Sequence, residues 1–259
     1  MGNKIAIIYF SGTGNTKFIA QNMAKKLHQW DEEVDLINIE KDKIIPTDYK
    51  YLIIGAPVYI DRYPEILIKF AKANLKDYKS KCMLFTTQAS EKDSTAYQHF
   101  INELPNLNIT YCLYIPIPNN VYNFFFKKTT EEKQSEMIHN STNIIENALE
   151  EFLQGEIKLY PRNKIMVFMI NLVYKIVYPG FINLINKKMN IDKNKCIDCK
   201  LCEKSCPVGC IKIDNKAVYT KDCLFCQRCI NICPKNAFLY KNKVLSQYKL
   251  RFKEVKNNN

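Results

Sequence analysis

Nine of the eleven cysteines lie in the last quarter of the chain, eight of them in two runs of one spacing. Cys196, Cys199, Cys202 and Cys206-Pro207 form the first; Cys223, Cys226, Cys229 and Cys233-Pro234 form the second. The pattern C-x2-C-x2-C-x3-C-P is that of bacterial iron–sulfur runs, and two copies imply two [4Fe–4S] clusters. The x2 steps let one short loop bring three thiolates to three irons. The fourth cysteine of each run is expected to ligate the other cluster. That gives one set of Cys196, Cys199, Cys202 and Cys233, and another of Cys223, Cys226, Cys229 and Cys206. A segment of some fifty residues buries little apolar surface, so bound clusters must hold it together.

Competing uses of the thiols fit less well. Structural zinc takes paired C-x2-C or Cys/His elements, not three cysteines at x2 steps followed by x3-C-P. The start, Met1-Gly2-Asn3-Lys4, runs straight into an apolar strand pattern without the regions of a secretory signal. The expectation is a reducing cytoplasm, where clustered cysteines mean metal rather than disulfides. Cys210 falls where the second run has Ala237 and reads as a small buried residue; Cys82 and Cys112 fall in strand patterns and read as core.

The net charge of +12 is unevenly placed. Residues 191–259 hold 15 Lys+Arg against 6 Asp+Glu, and the preceding residues hold 23 against 20. Ligating thiolates, bound clusters and a phosphate cofactor offset part of this excess, so no nucleic acid is expected. Residues 241–259 read as a basic tail, for an acidic partner or simply for solvent.

At 259 residues the chain suggests more than one domain. Residues 1–155 alternate strand and helix patterns, as a parallel sheet with crossover helices does. Strands are predicted at Lys4–Phe10, Val34–Ile39, Tyr51–Val58, Cys82–Thr87 and Tyr111–Ile117. Helices are predicted at Thr16–Gln29, Pro64–Leu75, Asp93–Leu104 and Thr129–Leu153. The last carries an apolar face of Met137, Ile138, Ile144, Ile145, Leu149 and Phe152. Five strands fit an α/β, flavodoxin-like doubly wound sheet of order 2-1-3-4-5. Residues 156–190 form a connector whose stretch IMVFMINLVY is strongly apolar. It is read as a buried or domain-bridging helix, with membrane contact as the weaker alternative. Residues 191–240 hold the cysteine repeat, expected as two half-domains around a pseudo-twofold axis.

Between the first strand and first helix lies Ser11-Gly12-Thr13-Gly14-Asn15-Thr16. Two glycines let the backbone approach a phosphate, hydroxyls donate to its oxygens, and the helix start completes an anion site. No Lys follows Gly14 as in a Walker loop, and the third glycine of the dinucleotide fingerprint is missing. His28, His99 and His139 sit in helix patterns and pair with no Cys or Asp at catalytic spacing, so no hydrolase is indicated.

Ser11–Thr16 resembles the FMN phosphate loop of flavodoxins. With the cysteine runs, nearly the whole chain resembles the flavodoxin–ferredoxin fusion proteins of anaerobic bacteria and archaea. The resemblance implies an FMN domain followed by a small α+β ferredoxin domain with two [4Fe–4S] clusters. It also implies flavin-ring contacts after the third and fourth strands, where Pro57, Val58 and Tyr59 and then Thr87 and Gln88 stand. Tyr59 is the first candidate to stack on the ring and Tyr63 the second. Glu91-Lys92-Asp93 departs from the glycine-rich, acidic and aromatic run of many flavodoxins. Residues 116–122 are expected to fold over the flavin, meet the ferredoxin module, or form a plain loop. The function implied is electron transfer between FMN, the clusters and a redox partner protein. A flavin-dependent reductase fed through the clusters is the alternative, and a protein with merely structural clusters the third reading.

Overall fold

The computed structural model describes residues 2–42, 48–76, 78–90, 94–161, 163–214, 216–220 and 222–250. The chain divides into two compact units. Met1–Tyr122 and Phe126–Pro161 belong to the first; Asn123–Phe125 and Arg162–Lys249 form the second.

The first unit is a five-stranded parallel sheet in the order β2-β1-β3-β4-β5. Its elements are β1 (Ile5–Tyr9), α1 (Asn15–Gln29), β2 (Val34–Asn38), β3 (Tyr51–Pro57), α2 (Glu65–Asn74), β4 (Lys81–Gln88), α3 (Ala96–Glu103), β5 (Ile109–Pro116) and α4 (Glu131–Leu153). This is the flavodoxin-like α/β fold. β1 is apolar on both faces because helices cover both sides of the sheet, and all five of its residues are buried. Edge strand β2 alternates and is mostly half-buried. One core joins Ile5, Ile7, Met83 and Phe85 to Ile19, Met23 and Leu27 of α1 and to Ile145, Leu149 and Phe152 of α4.

Helix starts differ from the pattern-based reading where capping residues set them. Pro64 and Thr95 occupy the N-cap positions of α2 and α3 without a capping side-chain bond, and the Ser94 hydroxyl accepts from the Ala96 N–H at 2.9 Å. Asp93 lies outside the described residues. Thr130 caps α4 by accepting from the Lys133 N–H. Met137, Ile138 and Ile144 of the expected α4 face are only half-buried; Gln134, Ser141 and Ala148 are buried with Ile145, Leu149 and Phe152.

Gly55 of β3 stands in register with Phe85 of β4, and a Cβ at Gly55 would lie 2.0 Å from Phe85 Cζ. Both residues are buried, so the ring has nowhere to move. Gly55→Ala is expected to cost about 3 kcal/mol, at the upper end of overpacking costs. Trp30, the one tryptophan, packs against the first unit's core. Its fluorescence in a urea titration therefore reads that unit, and an unchanged midpoint would refute the argument.

The second unit repeats its own structure. It holds α5 (Lys164–Asn186), β6 (Met189–Ile191), α6 (Leu201–Lys204), β7 (Ile211–Asp214), β8 (Lys216–Tyr219), α7 (Arg228–Ile232), β9 (Phe238–Tyr240) and β10 (Lys243–Val244). Strand β6 pairs antiparallel with β9, and β7 with β8. The outer strands of one half thus exchange with those of the other, as a pseudo-twofold requires. The backbone carries the same repeat at an offset of 27 residues. Positive φ angles fall at Asp198 and Phe225 (53° and 56°), Lys200 and Gln227 (55° and 58°), and Gly209 and Asn236 (62° and 48°).

Two expectations are corrected here. The connector helix α5 is not buried: among its residues with a described side chain, Val167, Tyr178, Ile182, Ile185 and Asn186 are buried, and most apolar ones face outward. Hydropathy reports a preference for leaving water, and it does not say what provides the cover. Nor does the tail begin at residue 241. β10 pairs with β9, Leu245 and Tyr248 are buried, and Gln247 Nε2 donates to the carbonyls of Ile230 and Cys233. Residues 251–259 lie outside the described part.

Candidate functional site

At the carboxyl ends of β1, β3, β4 and β5 the first unit opens a cleft of about 770 Å³. That is the position where doubly wound sheets bind ligands, and the size of small-molecule sites. Ser11, Gly12, Thr13, Asn15 and Thr16 line it from the first loop; Gly14 is the one residue of that motif outside the lining. Gly14 instead shapes the loop, with φ 108° at the start of α1 and no capping side chain on that helix. The first-turn amides of a helix have no partner within the helix, and the dipole adds positive potential.

Neighbouring chain segments fix the loop. The Gly14 N–H donates to Ser11 Oγ at 3.1 Å. The hydroxyls of Thr16 and Thr87 lie 2.7 Å apart, both side chains buried. Asn15 Nδ2 donates to the Pro118 carbonyl at 3.2 Å, and Asn120 Nδ2 donates to Thr13 Oγ1 at 2.6 Å. An accepting hydroxyl keeps its own proton to give. Segment 117–121, read from sequence with three open outcomes, thus forms a cleft wall in the first unit.

Pro57, Val58, Tyr59, Thr87 and Gln88 line the far side. Tyr59 begins a tight turn: Tyr59 and Arg62 exchange N–H···O bonds, and Ile60 and Asp61 both have positive φ. A β-branched residue rarely takes that conformation, so the turn is strained. Its far end is held from below. The buried Arg62 guanidinium meets His99 Nε2, with Glu103 Oε1 3.5 Å from the same nitrogen, and Thr95 Oγ1 donates to the Asp61 carbonyl. The Lys72 ammonium keeps the Glu103 carboxyl below its usual range, helped by His99 and Arg62 against the opposing effect of burial. His99, uninformative in sequence, is a positioning residue for this turn.

Tyr63, the second stacking candidate, is corrected. It is buried, donates to the Phe85 carbonyl at 2.9 Å and packs edge-on against Phe100. Asp61 also lines the cleft from the loop after the third strand, and Ser94, Phe126, Lys127 and Thr129 line it and were missed. Their signal was position alone, in loops that follow strand ends. Glu91-Lys92-Asp93 lies outside the described residues. An uncapped helix start, a glycine held at positive φ and a cleft of this size fit a phosphate-bearing flavin.

In the second unit two small cavities open. One is lined by Cys196, Cys199, Cys202 and Cys233, the other by Cys206, Cys223, Cys226 and Cys229. Each draws three thiols from one run and the fourth from the other. Among the described residues, no three His, Cys, Asp or Glu side chains converge tightly enough for a single metal ion.

The local backbone turns amides toward sulfur. Cys210 N–H donates to Cys206 Sγ at 3.3 Å, and its repeat mate Ala237 N–H donates to Cys233 Sγ at 3.4 Å. Phe225 N–H, at one of the positive-φ positions, donates to Cys223 Sγ at 3.4 Å. Such bonds favour the thiolate. The Cys210 thiol, 3.5 Å from Cys206 Sγ, and the amides of Val208, Cys210 and Ile211 bring the Cys206 thiol down to about 5 against the opposing effect of burial. Burial instead pushes Cys226 up to about 12 and Cys202 to about 11, so thiolates there need a cationic partner such as iron. The Gln227 side chain lines the second cavity, only 4% exposed, with neither amide atom partnered by protein. The buried Nε2 donor calls for an acceptor, which a cluster sulfide would supply, and Oε1 calls for a donor.

Residues 6–112 match the family model described as a flavodoxin domain, and residues 195–237 match the 4Fe-4S dicluster domain. No curated protein matches the chain. Similar solved structures include an archaeal flavodoxin with 15% identity, covering 56% of this chain and 99% of its own at a TM-score of 0.38. Flavodoxin 1 of Bacillus cereus has 19% identity, covering 55% and 97% at 0.39. A variant flavodoxin of Fusobacterium nucleatum bound to flavin mononucleotide has 14% identity, covering 60% and 97% at 0.42. The chain carries a flavodoxin domain followed by a 4Fe-4S dicluster domain, which matches the arrangement of a flavodoxin–ferredoxin fusion and supports an electron-transfer flavo-iron–sulfur protein.

Proposed function

We propose that the chain passes electrons between FMN in the first-unit cleft, two [4Fe–4S] clusters in the second unit and a separate redox partner protein. The supporting observation is the division of eight thiols into two cavities, each drawing on both runs. Bound FMN supplies a centre that exchanges two electrons in single steps, and each cluster one that moves single electrons.

The residues divide the work. Ser11, Gly12, Thr13, Asn15 and Thr16 hold the phosphate, with Gly14 shaping their loop. Thr87 fixes Thr16, and Asn120 fixes Thr13. Pro57, Val58, Tyr59 and Gln88 flank the ring. Cys196, Cys199, Cys202 and Cys233 hold one cluster; Cys223, Cys226, Cys229 and Cys206 hold the other. Amide donors to Cys206, Cys223 and Cys233 offset thiolate charge. A cytoplasmic location would supply the reducing setting that keeps these cysteines out of disulfides.

Purified without oxygen, the chain should carry about eight irons, about eight sulfides and one FMN. A reductive titration should bleach both flavin and cluster absorbance. A colourless or zinc-loaded protein refutes the proposal, and clusters that do not cycle would make them structural.

A further inference from the structure

Helix α5 carries half of the exposed large apolar side chains among the described residues. It runs for 23 residues, about 35 Å at 1.5 Å per residue. Its apolar window has a mean hydropathy of 1.8, yet only 17% of it is buried. Tyr178, Ile182 and Ile185 form the packed flank, and Tyr178 Oη donates to the Leu224 carbonyl at 3.1 Å. Ile165, Phe168, Met169, Leu172, Ile176 and Leu184 recur at helical steps on the opposite side, and Phe168 and Ile176 are 64% and 67% exposed. A continuous exposed stripe of this kind marks an interaction surface.

Charge selects what covers it. From Lys164 to Ile191 the sequence has no Asp or Glu, but it has Lys164, Lys175, Lys187 and Lys188. Lys187 and Lys188 are exposed at the carboxyl end of the helix. An apolar helix whose charged residues are all cationic matches acyl chains beneath anionic headgroups. Crossing the bilayer is disfavoured by Lys175 in mid-helix and by Asn171 and Asn183. The Tyr178–Ile185 flank is also committed to the second unit, where the helix packs on β8. We infer that α5 lies in the surface of an anionic lipid bilayer and anchors the chain there as a peripheral membrane protein.

The test uses the full chain with its cofactors, floated on density gradients with vesicles of phosphatidylcholine alone or with phosphatidylglycerol. About tenfold more protein should float with the anionic vesicles, and salt should reduce that excess. Phe168→Asp with Ile176→Asp should abolish flotation while leaving flavin and cluster absorbance unchanged. Lys187→Glu with Lys188→Glu should remove most of the preference for phosphatidylglycerol. Failure of the unaltered chain to float, or flotation of the Asp variant at the original level, overturns the inference. So does light scattering that finds a dimer which the Asp substitutions split, because a second copy would then cover the face.

Discussion

Loss of the Cys206 thiol should remove the cluster of Cys223, Cys226 and Cys229 and spare the one held in its own run. The expectation follows from which sulfurs share a cavity. Cys210 complicates the experiment, because its sulfur lies 3.5 Å from Cys206 Sγ and could replace it as a ligand. The variants are therefore made on Cys210→Ala, which copies Ala237 at the equivalent place in the second run. On that background Cys206→Ala should lower bound iron by about half, one cubane of two. Pairing identifies the cluster affected. Cys206→Ala with Cys226→Ala should lose no more iron than either alone, since both strike one cluster and their effects are not additive. Cys206→Ala with Cys199→Ala should lose nearly all of it. Uncrossed ligation reverses the two outcomes. Cys233→Ala makes the reciprocal case, with Cys226→Ala as the additive partner and Cys199→Ala as the redundant one. Iron analysis and low-temperature electron paramagnetic resonance of the reduced protein read the result.

Much of this arrangement was legible because each signal has one physical cause. The steps of the cysteine runs fix which thiols can share a loop, and the repeat at 27 residues fixes the symmetry. Strand β1 reads as buried because helices cover both faces of the sheet, and Ser11–Thr16 reads as an anion loop because it joins that strand to a helix. What sequence could not resolve is contact between distant segments. Tyr59 and Tyr63 stand four residues apart in one loop and look alike. Only the turn at Ile60 and Asp61, anchored through Arg62, leaves Tyr59 in the cleft wall and sends Tyr63 into the core.

Other misses share that origin. Asn123–Phe125 belongs to the second unit: Asn123 Nδ2 donates to the Ser246 carbonyl at 2.7 Å, and Phe124 packs edge-on against Phe225 and Tyr240. No periodicity announces such a segment, because it forms neither helix nor strand. Helix α5 misled in another way. An apolar run is the same string whether protein or lipid is to cover it, and only the exposed stripe opposite Tyr178, Ile182 and Ile185 separates the two cases.

Gly14→Val should abolish flavin retention in an otherwise intact protein. Gly14 has φ 108° and ψ −19°, beyond the range open to residues with a Cβ, and valine's branch makes the strain larger. A Cβ built there meets nothing within 4 Å, so the variant creates no clash in the folded chain. The strain must relax through the loop itself, by turning the peptide that leads into α1. That turn withdraws the Gly14 N–H from Ser11 Oγ and re-aims the first amides of the helix, the donors on which a phosphate depends. A shift of this kind costs two or three charge-assisted bonds at about 1.5 kcal/mol or more each, which weakens binding at least about a hundredfold. The fold should lose only about 1–2 kcal/mol, the price of one residue forced toward left-handed geometry. Trp30 fluorescence would show a modest shift in urea midpoint, iron content should not change, and FMN fluorescence titration of the apoprotein would read the affinity. Gly14→Ala should fall between valine and the native residue, because it has the strain without the branch. If the valine variant kept its FMN affinity, the phosphate would have to be held elsewhere in the cleft, with Lys127 the first alternative among the lining residues.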